Sequence, residues 1–188
     1  MGVAQIHSSQ IMMMTMKINI KQLRCRKNVK ELSSDPTYIG AEDFMYTRNR
    51  AVNAFIMKIT EEAARHNVSV AITKANSVYA KDGTAVCCGI FIPPRDDKHG
   101  IGRIRVAAGG QSLAEAVLSL AHEYIHMRQW VNKEKIYYSS DYLKLETNTE
   151  KRALSLMKKN GCSPRLMRQA QRRSSEYLRD LKSGVLVS

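Results

Sequence analysis

Across residues 42–67 apolar side chains recur at helical spacing. Phe44, Met45, Ala51, Ala54, Phe55, Met57, Ile59 and Ala63 form a broad stripe along one predicted helix. The pattern then changes: 68–73, 84–92 and 102–108 are β-branched and apolar runs bounded by Lys81-Asp82-Gly83, Pro93-Pro94 and Gly109-Gly110, and each predicts a short strand. Helical spacing returns at Ser112-Leu113-Ala114-Glu115, a capping box in which hydroxyl and carboxylate reciprocally accept the free N–H groups of a helix start. Leu113, Val117, Leu120, Ala121, Tyr124 and Ile125 continue the pattern, and no Gly or Pro interrupts it before Asn132. Two further helices are predicted. One covers 141–160, with Asp141 as N-cap and Gly161 just past its end; the other covers about 163–183 and is opened by Ser163-Pro164. This order predicts an α+β fold. A small antiparallel sheet of about three strands packs against the N-terminal helix and the 112–132 helix, and the remaining helices follow at the C-terminus.

His122-Glu123-Tyr124-Ile125-His126 falls about three turns into the 112–132 helix. Histidines four residues apart project from one face, so both imidazoles can reach a single metal ion while Glu123 stands beside them, close to an attacking water. Shuffling this composition would produce the pattern in roughly one per cent of chains, so its setting on a well-started, largely buried helix carries equal weight.

A catalytic zinc site takes three protein ligands and keeps one position for water. Glu146 and Glu150 are four apart on the 141–160 helix and share a face with Ala153 and Met157. Two acids on the inner side of a helix call for a compensating cation; the alternative is that both face water. Glu146 is the first choice as third ligand, with Glu150 accepting a hydrogen bond from the outer ring nitrogen of a ligating histidine, or the two roles are exchanged. A third histidine at the metzincin spacing would fall near Asn132 and is absent. His7, His66 and His99 all precede the motif, and His99 belongs to the polar turn Arg95-Asp96-Asp97-Lys98-His99-Gly100.

The order His122-Glu123-x-x-His126, then nineteen residues, then Glu146-x-x-x-Glu150 resembles the gluzincin clan of zinc metallopeptidases. Small size and the run from Ser119 to Trp130 resemble, within that clan, the compact phage and mobile-element peptidases, including relatives of the ImmA/IrrE type. The likeness spans about residues 84 to 155. It departs at the second helix, which has Glu146-Thr147 and Thr149-Glu150 where many such proteins have Glu-Ala. The resemblance implies a minimal zincin-like fold, a Zn2+ cofactor held by His122, His126 and Glu146, and a polypeptide substrate whose peptide bonds are hydrolysed with Glu123 as general base. It also implies that Arg103-Ile104-Arg105-Val106 lies along the cleft and pairs with extended substrate through its edge. Tyr137, Tyr138, Tyr142 and Arg128 are available to stabilise an oxyanion, with Tyr138 as the guess among them.

Charge adds a competing picture. The net charge is +13, and basic residues gather at Arg165, Arg168, Arg172, Arg173, Arg179 and Lys182 of the predicted last helix. A second cluster, Lys21, Arg24, Arg26, Lys27 and Lys30, belongs to a disordered or extended arm, 1–30, ahead of a single domain, 31–188. Such surfaces attract phosphates or acidic proteins, which opens the alternative of a basic nucleic-acid-associated protein with a structural or vestigial metal site. There is no zinc-finger spacing, no clear helix-turn-helix and little aromatic interleaving for base stacking, so the charge supports nonspecific contact at most. Cys25, Cys87, Cys88 and Cys162 show no C-x-x-C spacing, no twenty-residue apolar segment is present, and 1–16 lacks the features of a secretory signal. A reduced protein of the cytoplasm is expected, the host cytoplasm if phage-encoded, with no membrane partner. Met16 is a second candidate start, and Trp130 is expected in the core.

Overall fold

The computed structural model describes residues 47, 49–79, 85, 86, 88–96, 100–138 and 140–183. The predicted arm, His7, Phe44, Met45, Cys25, Cys87 and His99 lie outside the described residues. Helix α1 (Arg50–Arg65) starts later than the stripe predicted, because Asn49 leaves helical geometry (φ −93°, ψ 107°) and its side chain accepts the N–H groups of Ala51 and Val52. Its buried stripe is Val52, Phe55, Ile56, Ile59 and Ala63. Ala54 is exposed and Ala51 and Met57 are half-buried, so the core-facing side is narrower than expected. Asn67, at φ +57°, turns the chain out of the helix in a conformation asparagine tolerates.

The chain continues through β1 (Val68–Thr73), a two-stranded ribbon of β2 (Val78–Tyr79) and β3 (Ala85–Val86), then β4 (Gly89–Ile92) and β5 (Gly102–Ala107). The predicted run 84–92 is therefore two strands. The α+β class holds, with a three-stranded sheet against helices, but the sheet is mixed where an antiparallel one was predicted. Its order is β1-β5-β4. β5 runs parallel to β1, with Val70 opposite Ile104, and antiparallel to β4, with Phe91 opposite Ile104. Parallel neighbours require a crossover, and here the ribbon, β4 and a 3-10 turn at Pro94–Asp96 supply it. β5 is paired on both sides, so 103–106 offers no edge to a substrate. Among the described residues the outer edge of β4 has no strand partner.

Helix α2 (Leu113–Val131) runs through the middle of the molecule, packed against α1, β4 and β5 and against both later helices. Its capping box forms as predicted, with the Ser112 N–H donating to Glu115 Oε2 at 2.7 Å and the Glu115 N–H to Ser112 Oγ at 3.3 Å. The approach from β5 requires glycine: a Cβ at Gly109 would lie 2.1 Å from the Lys74 carbonyl oxygen. Helix α3 (Tyr142–Lys159) is capped by Asp141, which accepts the Lys144 N–H at 2.9 Å, and Gly161 past its end has φ +76°. Helix α4 (Pro164–Lys182) opens with Ser163 accepting the Leu166 N–H. Trp130 is half-buried and packs on the core, its ring 6.0 Å from that of Phe91. No described helix is long and apolar enough to cross a membrane.

Candidate metal centre

The inner face of α3 consists of Leu145, Glu146, Thr149, Glu150, Ala153 and Met157, all buried and turned toward α2. Periodicity alone places both acids in that stripe. From α2, His122 and His126 meet them. His122 Nε2 and His126 Nε2 are 2.9 Å apart, Glu146 Oε2 is 3.1 Å from the first and Glu146 Oε1 is 3.3 Å from the second. Among the described residues, these three side chains form the group of His, Cys, Asp or Glu close enough to hold a metal ion.

The outer ring nitrogens show which atoms face inward. His122 Nδ1 lies 2.7 Å from Glu150 Oε1, and His126 Nδ1 lies 3.1 Å from Gln129 Oε1. A carboxylate accepts only, so His122 Nδ1 is the donor. Gln129 is fully buried, and its amide nitrogen donates to Thr149 Oγ1 at 3.1 Å and to Asn148 Oδ1 at 3.4 Å, which leaves its oxygen for the His126 Nδ1–H. In neutral imidazoles both Nε2 lone pairs then point at each other and at a carboxylate. Three acceptors converging in a buried site are compensated by a cation or by an added proton, and the donor set fits the former. Glu150 Oε2 is also buried without a hydrogen-bond partner, so that carboxylate depends on its one strong contact with His122.

The local field agrees. Burial disfavours charge on His122, yet its hydrogen bonds to Glu146 and Glu150 and the nearby Glu123 carboxylate raise its pKa well above the usual histidine value. Burial likewise disfavours charge on Glu146 and would push its pKa up, but its hydrogen bonds to the two histidines hold it well below the ordinary carboxylate range. The potential that favours a proton on His122 equally favours a metal cation in its place.

Glu123 lines the same cleft, a cavity of about 550 Å³ between β4, α2, α3 and α4. Burial pushes its pKa up, opposed by the neighbouring histidines and, more weakly, by the backbone N–H of Phe91 on β4. A Cβ at Gly89 would come within 3.2 Å of Glu123 Oε1 and 3.1 Å of its Cγ. The absence of a side chain at Gly89 therefore gives Glu123 its room beside the strand.

Several residues passed over in the sequence complete the site. Tyr177 of α4 donates its hydroxyl to Glu146 Oε2 at 2.7 Å, and burial together with the Glu146 charge pushes its pKa far up, so it remains an O–H donor. Gln129 had a readable signal, lying three residues after His126 on the same helical face. Tyr177 had none, being separated from the motif by two helix boundaries. Of the oxyanion candidates, Tyr137 and Tyr142 line the cleft. Tyr138 is 54% exposed and is not among the lining residues. Arg128 pairs with Glu62 of α1 at 3.5 Å, outside the cleft. His66 is exposed at the end of α1. No protein-family description, curated protein or solved structure matches this chain.

Proposed function

We propose that this protein is a zinc-dependent metalloendopeptidase of the gluzincin type. The carrying observation is the convergence of His122 Nε2, His126 Nε2 and the Glu146 carboxylate, with Glu123 on the wall of the same cleft. Two imidazoles and one carboxylate are a ligand set used by catalytic zinc. A bound ion would supply Lewis acidity toward water and toward a substrate carbonyl. Glu123, made more basic by burial, accepts the proton of the attacking water and delivers it to the leaving amine. Glu150 and Gln129 hold the imidazoles in the tautomer that presents Nε2, and Tyr177 fixes the Glu146 carboxylate. The outer edge of β4, and not 103–106, aligns an extended polypeptide through backbone hydrogen bonds. The compartment proposed is the cytoplasm, in keeping with free thiols at Cys88 and Cys162. Elemental analysis and proteolysis test this reading. The purified protein should carry about one zinc per chain, and Glu123→Gln should keep it while losing at least about a hundredfold in cleavage of an unfolded protein substrate. Metal-free protein with undiminished cleavage, or full cleavage by Glu123→Gln, refutes the assignment.

The outer face of α4 supports a second reading. Arg165, Arg168, Arg172, Arg179 and Lys182 are all exposed and form a basic row suited to phosphates or acidic proteins. If nucleic-acid association is the function, neutralising Arg168 and Arg172 weakens binding and flattens its salt dependence, while chelation has no effect.

A further inference from the structure

The arginines of α4 divide between two environments. Arg165, Arg168, Arg172 and Arg179 are exposed, whereas Arg173 is half-buried and, among the described Lys and Arg residues, is the one lining the cleft. It reaches in at the point where β4 and α2 both begin. Its Nε lies 3.8 Å from Glu115 Oε1 and its Nη2 lies 3.9 Å from Cys88 Sγ. These contacts leave most of the guanidinium unused. Arginine carries five N–H donors in a planar fork, thiol sulfur is a weak acceptor, and Glu115 already receives the Ser112 N–H on its other oxygen. Glu115 therefore orients the arginine at long range without closing a bidentate pair. The carboxylates lining the cleft, Glu115, Glu123, Glu146 and Glu150, either belong to the metal centre or cap α2.

We propose that Arg173 is an anion-recognition subsite and that the substrate presents a carboxylate to it. This rests on the peptidase reading and names its substrate class: polypeptides with a carboxylate close to the scissile bond. The planar fork matches a carboxylate with two parallel hydrogen bonds. Its location beside Cys88, immediately before β4, places it beside a chain laid along that strand's outer edge. The carboxylate comes either from an acidic side chain or from the end of the substrate chain. Both sources share one chemistry at Arg173.

The test uses one peptide series carrying Glu, Gln or Lys at successive positions, each member made with a free or an amidated C-terminus. Binding is measured by fluorescence anisotropy on the Glu123→Gln protein as purified, and cleavage on the unsubstituted protein. At one position Glu should bind about tenfold more tightly than Gln, and Lys more weakly than either. A preference that follows the position of Glu identifies a side-chain source; one that follows amidation identifies the chain end. Adding Arg173→Gln should abolish the preference without changing metal content. Arg173→Lys, which keeps the charge but not the fork, should retain part of it and serves where Arg173→Gln does not fold. Equal binding of acidic and amide peptides throughout, or a preference undiminished in both Arg173 variants, overturns the subsite. If the unsubstituted protein cleaves no peptide, the peptidase reading falls by itself, and the binding comparison still decides Arg173.

Discussion

Helices α2 and α4 both send side chains into one cleft, on opposite terms. α2 is buried on nearly every side, and the polar groups it carries inward meet partners across the interface, His122 with Glu150 and Gln129 with Thr149. α4 buries only Leu166, Ala170 and Ser174 and turns a basic row outward; Arg173 and Tyr177 enter the cleft from the margin between those faces. A polar residue in a fully buried helix must be compensated, so its identity points to chemistry. At the margin of an amphipathic helix the same residue types are ordinary, and only the neighbours that α4 packs against give them a role.

The largest effect is expected at the candidate metal centre. Glu146→Ala should abolish binding of one zinc per chain, whereas Glu150→Ala, which removes the acceptor for His122 Nδ1, should weaken it by about 10- to 100-fold. Competition against a chelator of known affinity separates the two, and equal losses would mean that both acids are ligands. Stability comes next. Leu120→Ala empties a fully buried position on α2 and should cost about 2–5 kcal/mol, while Arg168→Ala on the outer face of α4 should change stability by no more than about 0.5 kcal/mol. Urea unfolding under chelation reads both without a metal contribution.

Tyr177→Phe asks whether α4 takes part in the metal centre or only covers it. The substitution keeps the ring and removes the 2.7 Å hydrogen bond to Glu146, so zinc affinity should fall about tenfold if the hydroxyl fixes that ligand. Unchanged affinity would mean that the Tyr177 hydroxyl does not support that ligand. A small effect is expected at Glu134, where Arg152 of α3 makes a bidentate contact with the segment after α2, one bond being 3.0 Å. The hydrogen bond to Arg152 holds the Glu134 carboxyl below its usual range. A carboxyl depressed in the folded state adds stability that is complete above its unfolded pKa, about 4.3, and fades as pH falls through the folded value. Arg152→Ala should therefore lose no more than about 1 kcal/mol at neutral pH, since the pair is partly exposed, and the deficit should close in acid. A deficit that persists at low pH would assign the loss to packing of the Arg152 stem.

The elements were legible where local rules apply. Ser112 and Glu115, Asp141 and Ser163 mark helix starts through their own backbone hydrogen bonds, and Asn49 would have marked α1 had its side chain been read as a cap in place of the apolar residues before it. The convergence of His122 with His126, and of Glu146 with Glu150, rests on a four-residue spacing that no distant contact is needed to establish. The strand order carried no comparable signal, because apolar runs of 4–6 residues look alike whether their neighbour runs parallel or antiparallel, and the central position of β5 depends on where the crossover returns. Gly89, Tyr177 and Arg173 belong with the strand order. Each gains its role from a partner far away along the chain: Glu123 for Gly89, Glu146 for Tyr177, and Glu115 for Arg173. Which side chains share a face is legible from the chain alone, since helical periodicity is a property of consecutive residues. Which face meets which is set by the packed fold, because that choice depends on burying apolar surface from several elements at once.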